Sequence, residues 1–357
     1  MGGIPDQILT ELRRHNACLV RQSGYWKAGD VITYDPSILK FVWEMLTVKA
    51  GVKTLYHTFA ADVLIEGDRL QGAVVVGKGG WLKIQAKVVI DASGDADLTA
   101  AAGAPFEKGP DLQVMSTTFW AGNVDIPAAR KISKDDLAAL LADAVAHGSY
   151  QLPARGGSYS LTTLPSVMAV NMVRIGGLDP TDLWELTQAE IEGRRQALEY
   201  HRFLKECVPG FENSYITNLC TQIGVRESRR ILGDYRLSRQ DVLEGRHFSD
   251  GIALCAWPLE DHRHQRETQL AYLPDGGTYN IPYRCLLPQG MEGLLVAGRC
   301  LSADHDAHAS VRVMAQCMAM GQAAGTAAGL AIRDGATPRG IEIGELRAQL
   351  MATGAIL

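Results

Sequence analysis

The sequence lacks several things that would settle its class at once. It has no basic excess: 35 Lys+Arg stand against 40 Asp+Glu, for a formal net charge of −5. No basic stripe is therefore available to displace counterions from a nucleic-acid backbone, and no nucleic-acid partner is expected. Its seven cysteines (Cys18, Cys207, Cys220, Cys255, Cys285, Cys300 and Cys317) are odd in number, widely spread and without a CxxC pair. That spacing supports neither a disulfide framework nor a zinc or iron–sulfur site. Reduced, mostly buried thiols in a cytoplasmic protein are the expectation. Met1–Asp6 has neither the basic stretch nor the apolar run of a secretory leader. A Ser-His-Asp order with a nucleophile elbow is missing too, which argues against hydrolase chemistry.

One uncharged run calls for a membrane reading. Val313–Ile332 spans 20 residues without a charge, long enough to cross a bilayer. Gln316, Gln322 and Thr326 interrupt it, however, and most of the rest is Ala or Gly. Gly321, Gly325 and Gly329 recur every four residues and leave one smooth helical face. The expectation is a buried helix pressed onto a sheet, with no membrane partner.

With 357 residues, 46% of them hydrophobic and 21% charged, the chain has globular composition and the length of two domains or of one domain with an inserted lobe. Its 37 glycines exceed the usual share of about 7%. Glycine serves where backbone must approach a ligand closely.

The local patterns predict a mixed fold. Pro5–His15 reads as a helix, and Asp35-Pro36 caps a second that stops at Ala50-Gly51. Strand-like runs follow at Val52–Tyr56, Phe59–Glu66, Leu70–Val76 and Trp81–Ile90. In the middle, Lys134–Ala146 and Thr181–Cys207 read as helices, Met115–Gly122 and Ser166–Val173 as strands. Toward the end come a strand at Gly293–Ala297, a long Ala/Gly helix starting near Ser310, and an amphipathic helix near Glu345–Thr353. The domains expected are residues 1–110, an inserted α+β substrate lobe over 111–284, and 285–357 returning to the first domain.

Two segments carry the sharpest chemical signal. Val88-Val89-Ile90-Asp91 reads as a strand buried on both faces, as in parallel sheets. It ends in Ala92, Ser93, Gly94 and Asp95, where a helix is expected to begin. Leu294-Leu295-Val296-Ala297 is a second such strand; it reaches Gly298-Arg299 and then the helix starting at Ser310-Val311-Arg312. Ligands of open α/β sheets lie at the carboxyl ends of strands, and a helix N-terminus suits an anionic group. Together the two patterns imply one nucleotide site with an insertion between its halves.

The ordered motifs resemble a known family. They run from Val89-Ile90-Asp91-Ala92-Ser93-Gly94-Asp95-Ala96-Asp97 and Ala102-Gly103-Ala104-Pro105-Phe106 to Gly224-Val225-Arg226-Glu227-Ser228-Arg229-Arg230. Ile281–Pro288, Leu295–Cys300, Ser310-Val311-Arg312-Val313-Met314 and Gly321-Gln322-Ala323-Ala324-Gly325 continue the series. The chain is similar over essentially its whole length to FAD-dependent oxidoreductases that include flavoproteins of the heterodisulfide reductase type. The resemblance implies FAD as cofactor and a glutathione-reductase-like FAD/NAD(P)-binding Rossmann domain. Such proteins begin with a strand–GxGxxG–helix unit for the pyrophosphate. This sequence has no such unit, since Gly2-Gly3 follow no strand. The expectation is thus an α/β Rossmann domain without its first βαβ phosphate-binding unit, completed by a partner chain, by a second copy or by a longer gene.

Individual residues keep more than one reading. Arg226, Glu227, Arg229 and Arg230 form either an anion-recognising cluster or a set of internal salt bridges; the resemblance places Arg226 and Glu227 near the flavin. In Asp304-His305-Asp306-Ala307-His308 an extended loop would let alternate residues converge on an ion, but no third ligand stands at helical spacing and no metal is expected. By resemblance His305 adjoins the cofactor, where an imidazole moves protons. His262 and His264 are acid–base candidates or surface histidines, and Glu260 stands where the family usually has Asp. His305, Arg226 and His262 are therefore the catalytic candidates. Ala92, Ser93, Gly94, Asp95, Gly298, Arg299, Ser310, Val311 and Arg312 are the cofactor-binding ones. Two functions stay open: hydride transfer through FAD to or from an unidentified small molecule, or a non-catalytic partner or gene fragment that does not bind FAD by itself.

Overall fold

The computed structural model describes residues 2–21, 31–148, 150–153, 156–262 and 268–357; His264 lies outside them. The chain opens with α1 (Ile4–Arg14), the antiparallel hairpin β1 (Cys18–Arg21) and β2 (Val31–Tyr34), and α2 (Pro36–Lys49). Asp35 caps α2 by accepting the Ser37 and Ile38 N–H groups. An antiparallel meander follows, with β3 (Phe59–Glu66), β4 (Arg69–Gly77) and β5 (Gly80–Gln85). Then come β6 (Val89–Asp91), the short α3 (Asp97–Ala101) and β7 (Phe106–Glu107).

The middle of the chain builds its own layer. It holds β8 (Phe119–Gly122), α4 (Ile126–Ala129), α5 (Lys134–Ala146), β9 (Ser158–Leu161), β10 (Met168–Asn171), α6 (Leu183–Cys207) and β11 (Tyr215–Leu219). The four strands form one antiparallel sheet in the order β11-β8-β10-β9. α5 starts at a capping box between Ser133 and Asp136, and α6 at the Asp182 carboxylate, each satisfying N–H groups that a helix leaves unpaired. The remainder comprises β12 (Arg230–Ile231), α7 (Arg239–Leu243), β13 (Gly251–Cys255), β14 (Leu259–Asp261), β15 (Gln269–Ala271), β16 (Tyr279–Pro282), β17 (Leu294–Val296), α8 (His305–Val311), α9 (Met314–Asp334) and α10 (Ile343–Ala352).

β17 pairs with β6 in parallel, with Leu295 opposite Ile90, so strands about 200 residues apart in sequence join as their apolar patterns predict. Two large apolar clusters support this arrangement. One runs from Met115 to Ile223 within the middle layer, and the other joins Ala96 to residues between Ile231 and Leu350. The lobe expected over 111–284 thus contributes to both cores.

Several expectations are corrected. Val52–Tyr56 is exposed and not a strand, because no neighbouring strand among the described residues completes its hydrogen bonds. Trp81–Ile90 divides into β5 and β6, which belong to different sheets. Met115–Gly122 is a strand only from Phe119; Met115 and Ser116 make isolated bridges to Ile175 and Gly224. β6 is half-buried rather than sealed on both faces. The helix after it starts at Asp97, following Ala96 in a left-handed conformation at φ 55°. The glycine face of α9 does not press onto a sheet: Gly321, Gly325 and Gly329 are exposed, and a methyl added at any of them would meet nothing within 4 Å. The opposite face, with Met320, Ala323, Ala324 and Ala327, enters the core. No helix among the described residues is long and apolar enough to cross a membrane.

The turn after β6 is held by one side chain. Asp91 is fully buried. One of its oxygens accepts Ser93 N–H at 3.1 Å and Ser93 Oγ at 2.7 Å, the other Thr99 N–H at 2.9 Å and Thr99 Oγ1 at 2.8 Å. Asp91→Ala leaves these donors without an acceptor and is expected to lower stability by about 3–5 kcal/mol. Asp91→Asn, which keeps one accepting oxygen, costs less. Urea unfolding of the two variants checks the order, and an Asp91→Ala chain as stable as its parent contradicts it.

Candidate functional site

The carboxyl ends of β6 and β17 bring six of the expected cofactor residues together. Gly94 (φ 86°) lies under the Arg299 guanidinium, so closely that a methyl group there would stand 2.5 Å from Nη2. Arg299 Nη1 donates to Asp95 Oδ1 at 2.9 Å, and Ser228 Oγ donates to the same oxygen at 2.5 Å. Ala92 and Ser93 are exposed beside them. Gly298 is left-handed at φ 96° and faces open space.

Ser310, Val311 and Arg312 do not begin a helix. They end α8, and the long helix starts at Met314 after Val313 turns extended at φ −74°, ψ 157°. Ser310 is fully buried; its hydroxyl donates to the Trp257 carbonyl and accepts from Tyr279 Oη at 2.6 Å. Val311 lies in the core.

No side chain among the described residues caps the first turn of α9. That turn opens on a cavity of about 660 Å³ lined by Ile8, Leu9 and Leu12 of α1, by Val20, Tyr34 and Trp257, and by Met314, Ala315 and Met318. None of the catalytic or cofactor-binding candidates lines it. The apolar face of α1 and the Val313-Met314 end of one quoted motif are its sequence traces, and a helical core stripe looks the same as the first.

The charged cluster after β11 separates by residue. Glu227 has no exposed surface. It accepts Gln113 N–H at 3.1 Å and His305 Nδ1–H at 2.8 Å, and forms an ion pair with Arg230, whose Nε stands 3.0 Å away. Arg230 also bonds Glu107, while Arg229 pairs with Asp97 at 2.9 Å. These two arginines hold segments together, as the salt-bridge reading has it. On its other side His305 Nε2 faces Asp261 Oδ1 at 3.6 Å.

The stretch from Asp304 to His308 is the start of a helix, not an extended loop, and Asp304 is its N-cap. His308 is buried and donates from Nε2 to the Arg299 carbonyl at 2.8 Å; burial, then Arg312 and Arg230, depress its pKa well below the usual range. A different trio gathers instead: Asp261, His305 and Asp306 each place one potential ligand atom within 4.8 Å of the others. Ion pairs already engage them, Asp306 with Arg239 at 3.0 Å and His305 with Glu227.

His262 is 7% exposed. Its Nδ1 accepts from Thr268 Oγ1 at 3.0 Å, and its Nε2 donates to Glu260 Oε1 at 3.2 Å. Burial, opposed by Glu260, pulls its pKa down to about 4, so the ring is neutral at neutral pH. Arg226 Nη1 donates to the Val114 carbonyl at 2.6 Å and to Ser116 Oγ at 2.7 Å. Burial, with Arg312 and Arg174 nearby, pulls its pKa down to about 9.

The profile of a family described as FAD dependent oxidoreductase matches residues 1–350. The chain belongs to this family, and its cofactor is FAD. No curated protein matches. Among solved structures it is similar to a geranylgeranyl bacteriochlorophyll reductase-like protein from Thermoplasma acidophilum, at 15% identity over 90% of this chain and 62% of that one, with TM-score 0.40. BexE is similar at 13% over 96% and 55%, with TM-score 0.44. The myxobacterial chondrochloren halogenase CndH is similar at 14% over 89% and 56%, with TM-score 0.37. The chain spans 55–62% of the length of these three.

The residues present fit one end of FAD. An uncapped helix start over an apolar cavity suits a flat ring system with a negative edge, and Gly298 leaves backbone open at the carboxyl end of β17. A strand–glycine loop–helix cradle for a pyrophosphate is not found among the described residues.

The neutral state of His262 sets a pH dependence. Between pH 6.5 and 4 the unfolded chain holds a proton on this ring that the folded chain does not, so stability falls as the pH drops across that window. The expected contribution is about 3 kcal/mol. His262→Gln should flatten the slope by close to one proton in urea titrations at pH 6.5 and 4.5; an unchanged slope contradicts the assignment.

Proposed function

We propose that the chain serves an FAD-dependent oxidation–reduction of a small organic molecule, the bound flavin supplying hydride transfer. The observation that carries this reading is the uncapped first turn of α9 over the apolar cavity. Unpaired N–H groups and the helix dipole there favour the negative edge of an isoalloxazine. Gly94, Asp95, Gly298 and Arg299, at the carboxyl ends of β6 and β17, serve the ribityl portion.

His305 is the group that moves a proton. The sealed carboxylate of Glu227 fixes its ring through Nδ1, the arrangement by which a third residue orients a catalytic base. Arg226 orients the substrate. His262, neutral and tied to Thr268 and Glu260, acts as a positioning residue.

We place the pyrophosphate-holding unit outside the described residues, on further sequence of the same protein, a second copy or a partner chain. The open glycine face of α9 and the half-buried β6, hydrogen-bonded in its sheet to β17 alone among the described residues, support that arrangement. Kinship with flavoproteins of the heterodisulfide reductase type rests on the motifs quoted above. Free cysteines, three of them buried, support a reducing, cytoplasmic setting.

Titrating the purified chain with FAD and with riboflavin tests the reading. Because its residues reach the flavin end, both are expected to bind with similar affinity. Ala315→Trp, which fills the cavity, should weaken both by about tenfold or more with an unchanged circular dichroism spectrum. If neither flavin binds, or if Ala315→Trp binds them as before, the reading fails.

A further inference from the structure

Three guanidinium groups meet around His262 without a carboxylate of their own. Arg312 Nη2 donates to Gln113 Oε1 at 2.9 Å. Arg226 is bound to the carbonyl of Val114, whose N–H donates to the His262 carbonyl at 3.2 Å. Arg174 Nη2 donates to Thr268 Oγ1 at 2.8 Å, the hydroxyl that serves His262 Nδ1. Each of these arginines is only partly exposed, and none forms an ion pair among the described residues. Glu260, the carboxylate within electrostatic reach of all three, is engaged by His262 Nε2 at 3.2 Å and by Trp257 Nε1 at 3.1 Å, and Glu227 also reaches Arg312.

Donors are left over at the same place. Arg174 Nη1, Arg312 Nε and Gln113 Nε2 are buried and have no hydrogen-bond partner among the described residues; Gln113 is only 2% exposed. Buried donors are ordinarily satisfied, and buried cations ordinarily carry a counter-charge. A guanidinium fork matches the two oxygens of a carboxylate.

We infer that Arg174, Arg226, Arg312 and the Gln113 amide form the binding site for the carboxylate head of the small-molecule substrate. A carboxylate fits better than a phosphate because Glu260 lies within electrostatic reach of all three arginines, so a second negative charge on the ligand head would be repelled. The word substrate rests on the flavin reading above; the anion site itself does not.

The test uses the full chain with no flavin added, titrated calorimetrically with succinate, with its neutral diamide and with inorganic phosphate. Succinate should bind saturably, the diamide should not bind, and phosphate should bind more weakly than succinate. Arg312→Gln and Arg174→Gln should each weaken succinate by about tenfold or more. Arg312→Lys keeps the charge without the fork, and should fall between Arg312→Gln and the parent; it covers the case in which a glutamine variant does not fold. Absent succinate binding, tighter phosphate binding, or unchanged affinity in folded variants overturns the inference. Succinate binding without flavin binding keeps it and sinks the flavin reading, while flavin binding without succinate binding does the reverse.

Discussion

A carboxylate sealed from solvent has to be matched by donors and cations on every side, and Glu227 imposes that condition on three distant parts of the chain. Gln113 comes from the entry to the middle layer, Arg230 from the strand after it, and His305 from the first turn of α8. Losing one partner of such a buried group costs about 3–5 kcal/mol, so these segments are locked to one another rather than merely adjacent. The neighbours of Glu227 go separate ways. Arg226 points to the Val114 carbonyl and Ser116, Ser228 and Arg229 reach Asp95 and Asp97, and Arg230 returns to Glu107. Five consecutive residues thereby tie the entry to the middle layer, the turn after β6 and the core to one peptide segment.

The break between α8 and α9 is the second determinant of the site. A continuous helix from His305 would satisfy the first-turn N–H groups of Met314 and its successors internally. The extended Val313 interrupts it, so the fold presents a fresh helix start in mid-chain, with Arg312 leaving on the side of Gln113 and the open turn facing the cavity. Surface ion pairs such as that of Arg333 with Glu345, half exposed, add little by comparison.

Local rules made much of this legible in advance. Asp35 announces α2 through a side-chain oxygen that bonds the next turn, the helical runs from Lys134 and Thr181 anticipate α5 and α6, and the paired apolar runs ending in Gly94 and Gly298 mark the parallel strands. What stayed hidden depends on contacts between segments far apart in sequence. Nothing around Val52–Tyr56 reveals that no strand will pair with it. Nothing in Ser310-Val311-Arg312 reveals that the helix must stop there to seat Ser310 against Tyr279. Gln113, Arg174 and Thr268 carry no motif, and only the fold brings them to His262. The glycine stripe was visible, but periodicity does not say which face of a helix meets the core.

That stripe has an energetic consequence. Glycine inside a helix is less favourable than alanine by about 0.8–1.0 kcal/mol per residue, and α9 bears this at Gly321, Gly325 and Gly329. Within the described chain no close approach offsets the loss, since each position faces open space. Alanine at all three would fit and raise the helix's intrinsic propensity. The isolated chain is therefore less stable than its own backbone allows, and the deficit sits along one edge of one helix, where only an axis approaching closer than a methyl group permits would recover it.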